Sequence, residues 1–181
     1  DVIRRYTASL IDSVVNAAGA AIRDLAPATL EFGQGLAGIA VNRRRVARRS
    51  LPGPVDHDLP VLRVRDAAGK VRAIVAGYAC HATVLNDYLI NGDWPGYAQE
   101  EIETAYPGAT ALFVQGCGAD ANPLPRGSVE AARRYGSILA AGVAQVLASK
   151  MKPLDAPLRT VFETVDVPFE RPPSREELRA R

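Results

Sequence analysis

The fold is decided by residues 61–83, VLRVRDAAGKVRAIVAGYACHAT, in which two apolar segments flank a short loop that contains a glycine. The segments are 61–65 and 71–76, and the residues between them include Gly69. Strand-like segments around a short glycine-containing loop are typical of a β-hairpin. The second segment leads directly into a loop that carries a cysteine and a histidine, so this stretch sets both the sheet and the first candidate site.

Helical and strand-like patterns alternate along the rest of the chain. Apolar residues at helical spacing, or flanking proline and glycine, predict helices at 8–25, 96–106 and 128–150. Strand patterns occur at 28–41, 110–114 and 161–167. Because strands and helices alternate, we expect an α/β fold, a mixed sheet with flanking helices, formed by a single domain over residues 1–181.

Three segments carry more specific expectations. The segment 110–114 is mostly apolar, as in a strand that is buried on both faces. Pro168 directly follows 161–167 and indicates that this strand lies at a sheet edge. The basic run 42–49 is interpreted as a solvated loop, and the proline-rich segment 50–60 as an irregular connection.

Composition places the chain among globular proteins. Apolar residues make up 48% and charged residues 23% of the 181 residues, so an ordinary core can be buried and a disordered tail is excluded. The net charge of +2 predicts no nucleic-acid partner. No apolar run reaches the ~18 residues that a transmembrane helix needs.

Three loops hold most of the residues that are suited to chemistry. They are residues 77–83, 91–96 and 115–123, and they contain the only tryptophan, both cysteines and one of the two histidines. The first and third loops each follow a strand. Because ligands of open α/β sheets bind at the carboxyl ends of the strands, we expect these two loops to share one edge, joined by the second.

His81 is a candidate metal ligand or general base, because imidazole binds zinc and titrates near neutrality. The alternative is a hydrogen-bonded structural histidine at a strand end. His57 lies between two aspartates, which indicates a surface ion pair. Cys80 and Cys117 leave open two buried thiols, a disulfide or a Cys-His-Cys metal site, and the lack of a CxxC spacing favours buried thiols.

The third loop combines glycines with an acid and an amide. Gly116 and Gly118 allow tight turning and close backbone approach, and Asp120 and Asn122 follow them. The chain contains neither a phosphate loop nor a G-x-S-x-G nucleophile elbow. In the second loop, Asp93 precedes a predicted helix and is expected to cap its N-terminus.

Five ordered motifs resemble the neutral ceramidase family, the neutral/alkaline non-lysosomal amidases that hydrolyse the N-acyl bond of ceramide. In chain order they are Asn42-Arg43, Val55-Asp56 with Val61-Leu62-Arg63, Cys80 to Leu85, Asn91-Gly92-Asp93 with Gly96-Tyr97-Ala98, and Phe113 to Pro123. Family chains are several times longer, so the resemblance implies an internal fragment of the N-terminal catalytic domain.

This resemblance implies a zinc-dependent hydrolase that cleaves an N-acyl amide bond with a metal-activated water, with His81 as one zinc ligand. Arg43 matches the arginine that contributes to the family's active site. Gly118, Asp120 and Asn122 match the loop that carries its active-site serine. Asn122 stands in place of that serine and cannot act as a nucleophile, which leaves it to orient or polarise the substrate carbonyl.

The resemblance also implies what this chain lacks. The family's other zinc ligands, the first of its two histidines, a glutamate and a tyrosine, do not map to residues 1–181, so activity of this fragment alone is not expected. Ser174 and Glu177 form a helix start at the end of the chain, which indicates a piece of a longer protein, the alternative being a frayed tail. The substrate is expected to be a small-molecule or lipid amide, and the family's secreted or membrane-associated enzymes favour an extracytoplasmic location.

Two other hypotheses come from different classes. Asn122 in place of serine is also compatible with a family member that has lost catalysis and binds a ligand or partner. A thiol-dependent site at Cys80 and Cys117 is the third possibility, and it predicts activity that is lost on alkylation and survives chelation.

Overall fold

The computed structural model describes residues 1–46, 53–155, 157, 159–169 and 171–180. Residues 47–52, which include parts of the predicted basic loop and irregular connection, lie outside the described residues. The elements in chain order are α1 (Val2–Arg23), β1 (Ala28–Leu36), β2 (Ala40–Asn42), α2 (Arg43–Val46), β3 (Asp58–Asp66), β4 (Val71–Tyr78), α3 (Asp93–Ala105), β5 (Thr110–Gln115), β6 (Ala121–Pro123), α4 (Val129–Ala148), β7 (Lys152–Leu154) and α5 (Arg175–Arg179).

The predicted α/β fold with a mixed sheet is confirmed. Five strands pair in the order β5-β4-β3-β1-β7, and a separate two-stranded sheet joins β2 to β6. Neighbouring strands of the large sheet are antiparallel except β4 and β5, which are parallel. The parallel pair places the carboxyl ends of β4 and β5 at the same edge of the sheet, where two of the candidate loops begin.

The predicted hairpin forms from β3 and β4. Gly69 has φ 79° in the connecting turn, a backbone conformation that glycine adopts without steric cost. The Asp66 carboxylate accepts hydrogen bonds from the N–H groups of Ala68 and Lys70, both at 2.9 Å. The turn is therefore held by its own side chain, as is usual for an aspartate at the start of a tight turn.

Helices α3 and α4 pack against each other and cover one face of the sheet. Ser128 caps α4, as its side chain accepts a hydrogen bond from Ala131 N–H at 3.1 Å. Gly33 and Gly35 of β1 face α4, and a Cβ at either glycine would lie 2.6 Å from the Val146 side chain. The helix can therefore approach the sheet closely only because β1 has glycine at these two positions.

The opposite face of the sheet carries an apolar row of four register partners from neighbouring strands, Phe32, Leu62, Val75 and Leu112. Leu112, on β5, is 49% exposed. Residues 110–114 were expected to be buried on both faces, and this is wrong because, among the described residues, the helices cover β5 on one face only. The predicted strand itself is confirmed.

The ends of the chain differ from expectation in two respects. Helix α1 forms, but none of its residues is buried. The strand predicted at 161–167 is absent, since residues 159–169 have no regular structure and the edge strand in this part of the chain is β7. The predicted capping box is confirmed, with Ser174 and Glu177 bonded reciprocally at the start of α5.

No helix among the residues that the structure describes is both long enough and apolar enough to cross a bilayer.

The basic run 42–49 also differs from the predicted loop, because arginines of this run form the short helix α2 directly after β2.

Candidate active site

The three candidate loops converge at the carboxyl ends of β4 and β5, as expected. Gly116 N–H donates a hydrogen bond to the Tyr78 carbonyl at 3.0 Å, so the third loop starts against the end of β4. His81 N–H then donates to the Ala121 carbonyl at 3.0 Å, which joins the first loop to β6. The backbone of the first loop is thus bonded to the third loop at both ends.

Gly118 allows this close approach. A Cβ at Gly118 would lie 2.5 Å from Cys80 N and 2.6 Å from the Ala79 carbonyl carbon, both backbone atoms that cannot move aside. Gly118 is buried, and so is Asn122, whose backbone pairs with Val41 in the small sheet. Gly118 and Asn122, both predicted as site residues, are therefore buried residues that contact the segments packed against the third loop.

One carbonyl oxygen brings His81 and Arg43 together. His81 Nε2 lies 3.3 Å from the Ala119 oxygen, and Arg43 Nε donates to the same oxygen at 3.2 Å. Because a carbonyl oxygen only accepts, the His81 contact requires a proton on Nε2. In the neutral ring, Nδ1 is then the nitrogen that can take up a proton or bind a metal.

Asp120 is fixed from the opposite side by a residue that the sequence analysis did not single out. Asn42 is buried, and its Nδ2 donates to Asp120 Oδ2 at 3.1 Å and to the Pro54 carbonyl at 3.0 Å. Arg43 N–H donates to the Asp120 carbonyl at 2.8 Å. The only signal for Asn42 in the sequence was its place beside Arg43 in the first family-like motif.

The second loop is joined through Asp93 to the backbone that directly follows the first loop. Its carboxylate accepts hydrogen bonds from the N–H groups of Val84 at 3.2 Å, Leu85 at 2.8 Å and Trp94 at 2.7 Å. Asp93 was expected to precede the helix and cap its N-terminus, whereas α3 begins at Asp93 itself with Gly92 as the N-cap, and the Asp93 carboxylate accepts from one N–H of the first turn, that of Trp94. One of its three hydrogen bonds, from Trp94 N–H, serves the start of α3, and the other two serve the backbone that directly follows the first loop.

Both cysteines are free, so they form no disulfide. Cys80 is fully buried, and burial raises the pKa of its thiol to about 12, with the charge of Asp93 adding to the effect. Cys117 is exposed, which corrects the expectation of two buried thiols. A thiol that is buried and protonated at neutral pH is a poor nucleophile, so Cys80 does not suit thiol catalysis.

The expected surface ion pair of His57 is not seen among the described residues. His57 is exposed and its Nδ1 lies 3.3 Å from the Tyr78 hydroxyl. That hydroxyl is buried and also accepts from the backbone N–H groups of Ile39 and Ala40, both at 3.2 Å. Burial raises the pKa of Tyr78, so the hydroxyl stays protonated and the histidine faces a neutral group.

The described residues do not by themselves form a zinc site. Over residues 1–46, 53–155, 157, 159–169 and 171–180, no three histidine, cysteine, aspartate or glutamate side chains come together as a metal-binding group. A structural or catalytic zinc site needs three or four protein ligands. His81 is a single candidate ligand, with its side chain partly exposed at the site.

A groove of about 350 Å³ opens beside the ends of β4 and β5. It is lined by Tyr78, Ala79, Gly116 and Cys117 together with Asp56 and Asp58. His81, Arg43, Asp120, Asn122 and Gly118 do not line it. The groove is next to the candidate site, because residues of the first and third loops line it.

The fold is an α/β sheet with the candidate site residues gathered at the end of its parallel strand pair. Two solved structures share the fold. Neutral ceramidase from Pseudomonas aeruginosa matches with a TM-score of 0.70 and 22% identity, over 81% of this chain and 27% of the ceramidase. A ceramidase complexed with C2 matches with a TM-score of 0.64 and 20% identity, over 73% of this chain and 24% of the other.

The fold expected from the sequence motifs is thus confirmed. The chain spans about a quarter of the length of these ceramidases. No family model matches the chain, and no curated protein matches it.

Proposed function

We propose that residues 1–181 form part of the catalytic domain of a ceramidase-like hydrolase that cleaves an N-acyl amide bond. The observation that carries this proposal is the meeting of His81 and Arg43 at the Ala119 carbonyl, in a fold shared with two ceramidases. Amide hydrolysis needs a group that moves a proton and a group that stabilises the developing oxyanion. An imidazole and a guanidinium suit these two tasks.

Each of the residues has a role in this proposal. Arg43 is exposed and positively charged, and it stabilises the negative oxygen that develops on the substrate carbonyl. His81 offers Nδ1 toward a proton or a metal. Asp120, held by Asn42, orients Arg43 through the backbone, and the buried Asn122 and Gly118 keep the third loop in place.

The proposal includes zinc, with His81 as one ligand and the other ligands contributed from outside the described residues. Imidazole nitrogen is among the commonest zinc ligands in hydrolases. A zinc ion, when bound, would polarise the substrate carbonyl and activate a water molecule. Because the described residues provide only one candidate zinc ligand, the roles given above are assigned to Arg43, His81 and the third loop without the metal.

A lipid amide of the ceramide type is the substrate class that the proposal names first, and a short N-acyl amide is the comparison. The test measures hydrolysis of both by the protein that carries this chain, with His81→Ala and Arg43→Ala as variants. Loss of a general acid–base or of one oxyanion donor lowers kcat by about 10²–10⁴-fold. His57→Ala and Arg126→Ala, at two exposed residues outside the candidate site, are the matched controls and should keep wild-type turnover.

Failure of the wild-type protein to hydrolyse either amide would overturn the proposal. Turnover that is lost with a chelator and restored by Zn²⁺ would support the zinc part. Turnover that resists chelation and is lost on alkylation of Cys117 would instead support the thiol hypothesis.

A second candidate function is a ligand-binding module without catalysis. The observation in its favour is Asn122, which occupies the serine position of the family-like loop and is buried at 7% exposure. Binding of an N-acyl amide with no turnover, in a protein that also binds zinc, would favour this module over the hydrolase.

A further inference from the structure

We propose that Asp93 and Trp94 are positioning residues for His81. This inference rests on the proposed function, because it assigns a role toward the imidazole that the hydrolase uses. The pair starts α3, whereas His81 lies in the loop after β4, so its influence passes through the backbone of residues 81–85.

Asp93 fixes one end of this segment. Its side chain is buried, at 6% exposure, and its carboxylate is bonded to the N–H groups of Val84 and Leu85. Hydrogen bonds from backbone N–H to an ionised carboxylate are stronger than neutral ones. Asp93 also has φ 49°, a conformation that costs free energy for any residue with a Cβ. In this conformation the Asp93 carboxylate accepts hydrogen bonds from three backbone N–H groups.

Trp94 fixes the other end. Its indole Nε1 donates to the His81 carbonyl at 3.0 Å, and the side chain is 0% exposed. The ring is held between neighbours from both parallel strands, edge to face with Tyr78 at 6.0 Å and with Phe113 at 5.2 Å between centroids. A donor that is itself locked by packing fixes its acceptor more tightly than a mobile side chain does.

Together these contacts restrain the backbone of His81 on both sides. Its carbonyl is bonded to Trp94, its N–H to the Ala121 carbonyl, and the chain that follows is bonded to Asp93. The His81 ring therefore contacts the Ala119 oxygen from a backbone that is held in place. Catalytic side chains need support of this kind, since small displacements of a reacting group reduce turnover strongly.

Two variants separate the contributions. Asp93→Asn keeps the shape of the side chain but turns an NH₂ group toward one of its backbone N–H donors, while Trp94→Phe keeps an aromatic ring and removes the donor to His81. Asp66→Asn is the matched control for the carboxylate, because Asp66 also accepts two backbone N–H groups but lies in the distant hairpin turn. Ile102→Ala is the control for lost packing in α3, where Ile102 is buried.

The first measurement is independent of activity. Hydrogen exchange of the Val84 and Leu85 amides and the NMR signal of the His81 ring Cε1–Hε1 group are followed in each variant. We expect Asp93→Asn to speed exchange at one or both amides by about tenfold or more. Both variants should shift the His81 signal while that of His57 stays unchanged, and neither control should do this.

The second measurement is turnover of the N-acyl amide. Loss of a residue that orients a functional ligand typically lowers activity by about 10–100-fold, and we expect this loss in kcat with KM nearly unchanged. Ile102→Ala should keep wild-type kcat at a temperature where it stays folded, even if its unfolding midpoint falls more.

The outcomes distinguish this inference from the proposed function. Variants with wild-type exchange and an unshifted His81 signal overturn the positioning role, whatever the activity. A wild-type protein without amide turnover overturns the proposed function, while the exchange and NMR results still decide the positioning role. If Asp93→Asn does not fold, Trp94→Phe alone decides, since it leaves the carboxylate in place.

Discussion

Asn42 Nδ2 donates a hydrogen bond to Asp120 Oδ2 at 3.1 Å, although 78 residues separate the two in the chain. The same amide uses its oxygen to accept from Arg44 N–H at 3.1 Å, so both ends of the Asn42 side chain are engaged. A single amide thus connects the end of β2, the start of α2 and the loop after β5. This connection keeps Asp120 beside Arg43.

We predict that Asn42→Asp lowers the free energy of unfolding by about 1–3 kcal/mol, because it replaces the donor with an oxygen that faces the Asp120 carboxylate. Added salt should recover part of the loss by screening the repulsion between the two carboxylates. Urea denaturation at low and high ionic strength measures both effects. Asn16→Asp, on the exposed helix α1, makes the same chemical change and should be nearly neutral; equal losses in the two variants would contradict the prediction.

Gly118→Ala should cost several kcal/mol, because the new Cβ would meet the backbone of Ala79 and Cys80 and would separate the first and third loops. Gly96→Ala is the control, since a Cβ there meets nothing within 4 Å and alanine favours the helix, by up to about 1 kcal/mol. The two variants are compared by chemical denaturation. A Gly118→Ala protein as stable as the wild type would show that the loops are less tightly apposed than the distances indicate.

The two thiols should differ strongly in reactivity. Cys117 is exposed and should react with a thiol reagent in the folded protein, whereas Cys80 is fully buried and protonated and should react only on unfolding. Mass spectrometry after iodoacetamide treatment, with and without urea, counts the labelled residues. Cys117→Ser should remove the fast reaction entirely. Fast labelling that persists in this variant would mean that Cys80 is reachable from solvent.

Glu31 should make the fold sensitive to acid. Hydrogen bonding to Arg63, at 2.8 Å, lowers the pKa of Glu31, with Arg65 at 3.0 Å adding to the effect. A carboxyl whose pKa is lower in the folded state stabilises the protein above its unfolded pKa, about 4.3, and loses that contribution as the pH falls toward its folded pKa. The unfolding midpoint of the wild type should therefore fall more steeply below pH 4.3 than that of Glu31→Gln. The unfolding midpoint of both proteins is measured from pH 7 to pH 3, and parallel curves would contradict the prediction.

Local patterns in the sequence were sufficient for the hairpin and for α4. Gly69 and the flanking β-branched residues specify a turn within a few residues, and the apolar spacing after Ser128 specifies a helix with one buried face. These elements depend on interactions between residues that are close in the chain. Their bounds shifted by only a few residues in the structure.

Properties that depend on distant partners were predicted less well. The apolar run of β5 gave no indication that the strand lies at an edge, because edge position is set by which strands pair and not by composition. Val161 and Val165 alternate as in a strand, yet both are exposed, since a strand needs a partner that the described residues do not offer. Strand propensity alone was insufficient there.

The same distinction between local and distant interactions applies to the candidate site. The convergence of the first and third loops could be predicted, because parallel strands end at a common edge. The contact from Asn42 to Asp120 could not, since no spacing in the sequence indicates it. The carboxylate of Asp93 was assigned to its own helix alone, because the capping rule is local. It does bond Trp94 N–H there, but its other two partners, Val84 and Leu85, precede the second loop and could not be foreseen.

The pairing of β7 with β1 has a consequence for biosynthesis. β1 is the neighbour of β3 on one side, but on the other it pairs with β7, so that Leu30 meets Leu154. A ribosome that adds about 5–20 residues per second needs roughly 4–15 s to go from the end of β4 to β7. During that interval the outer edge of β1 offers unpaired N–H and C=O groups to any other extended chain nearby. We expect chaperone dependence or co-translational aggregation through this edge to be greatest in this interval, and to end when β7 emerges and pairs with β1.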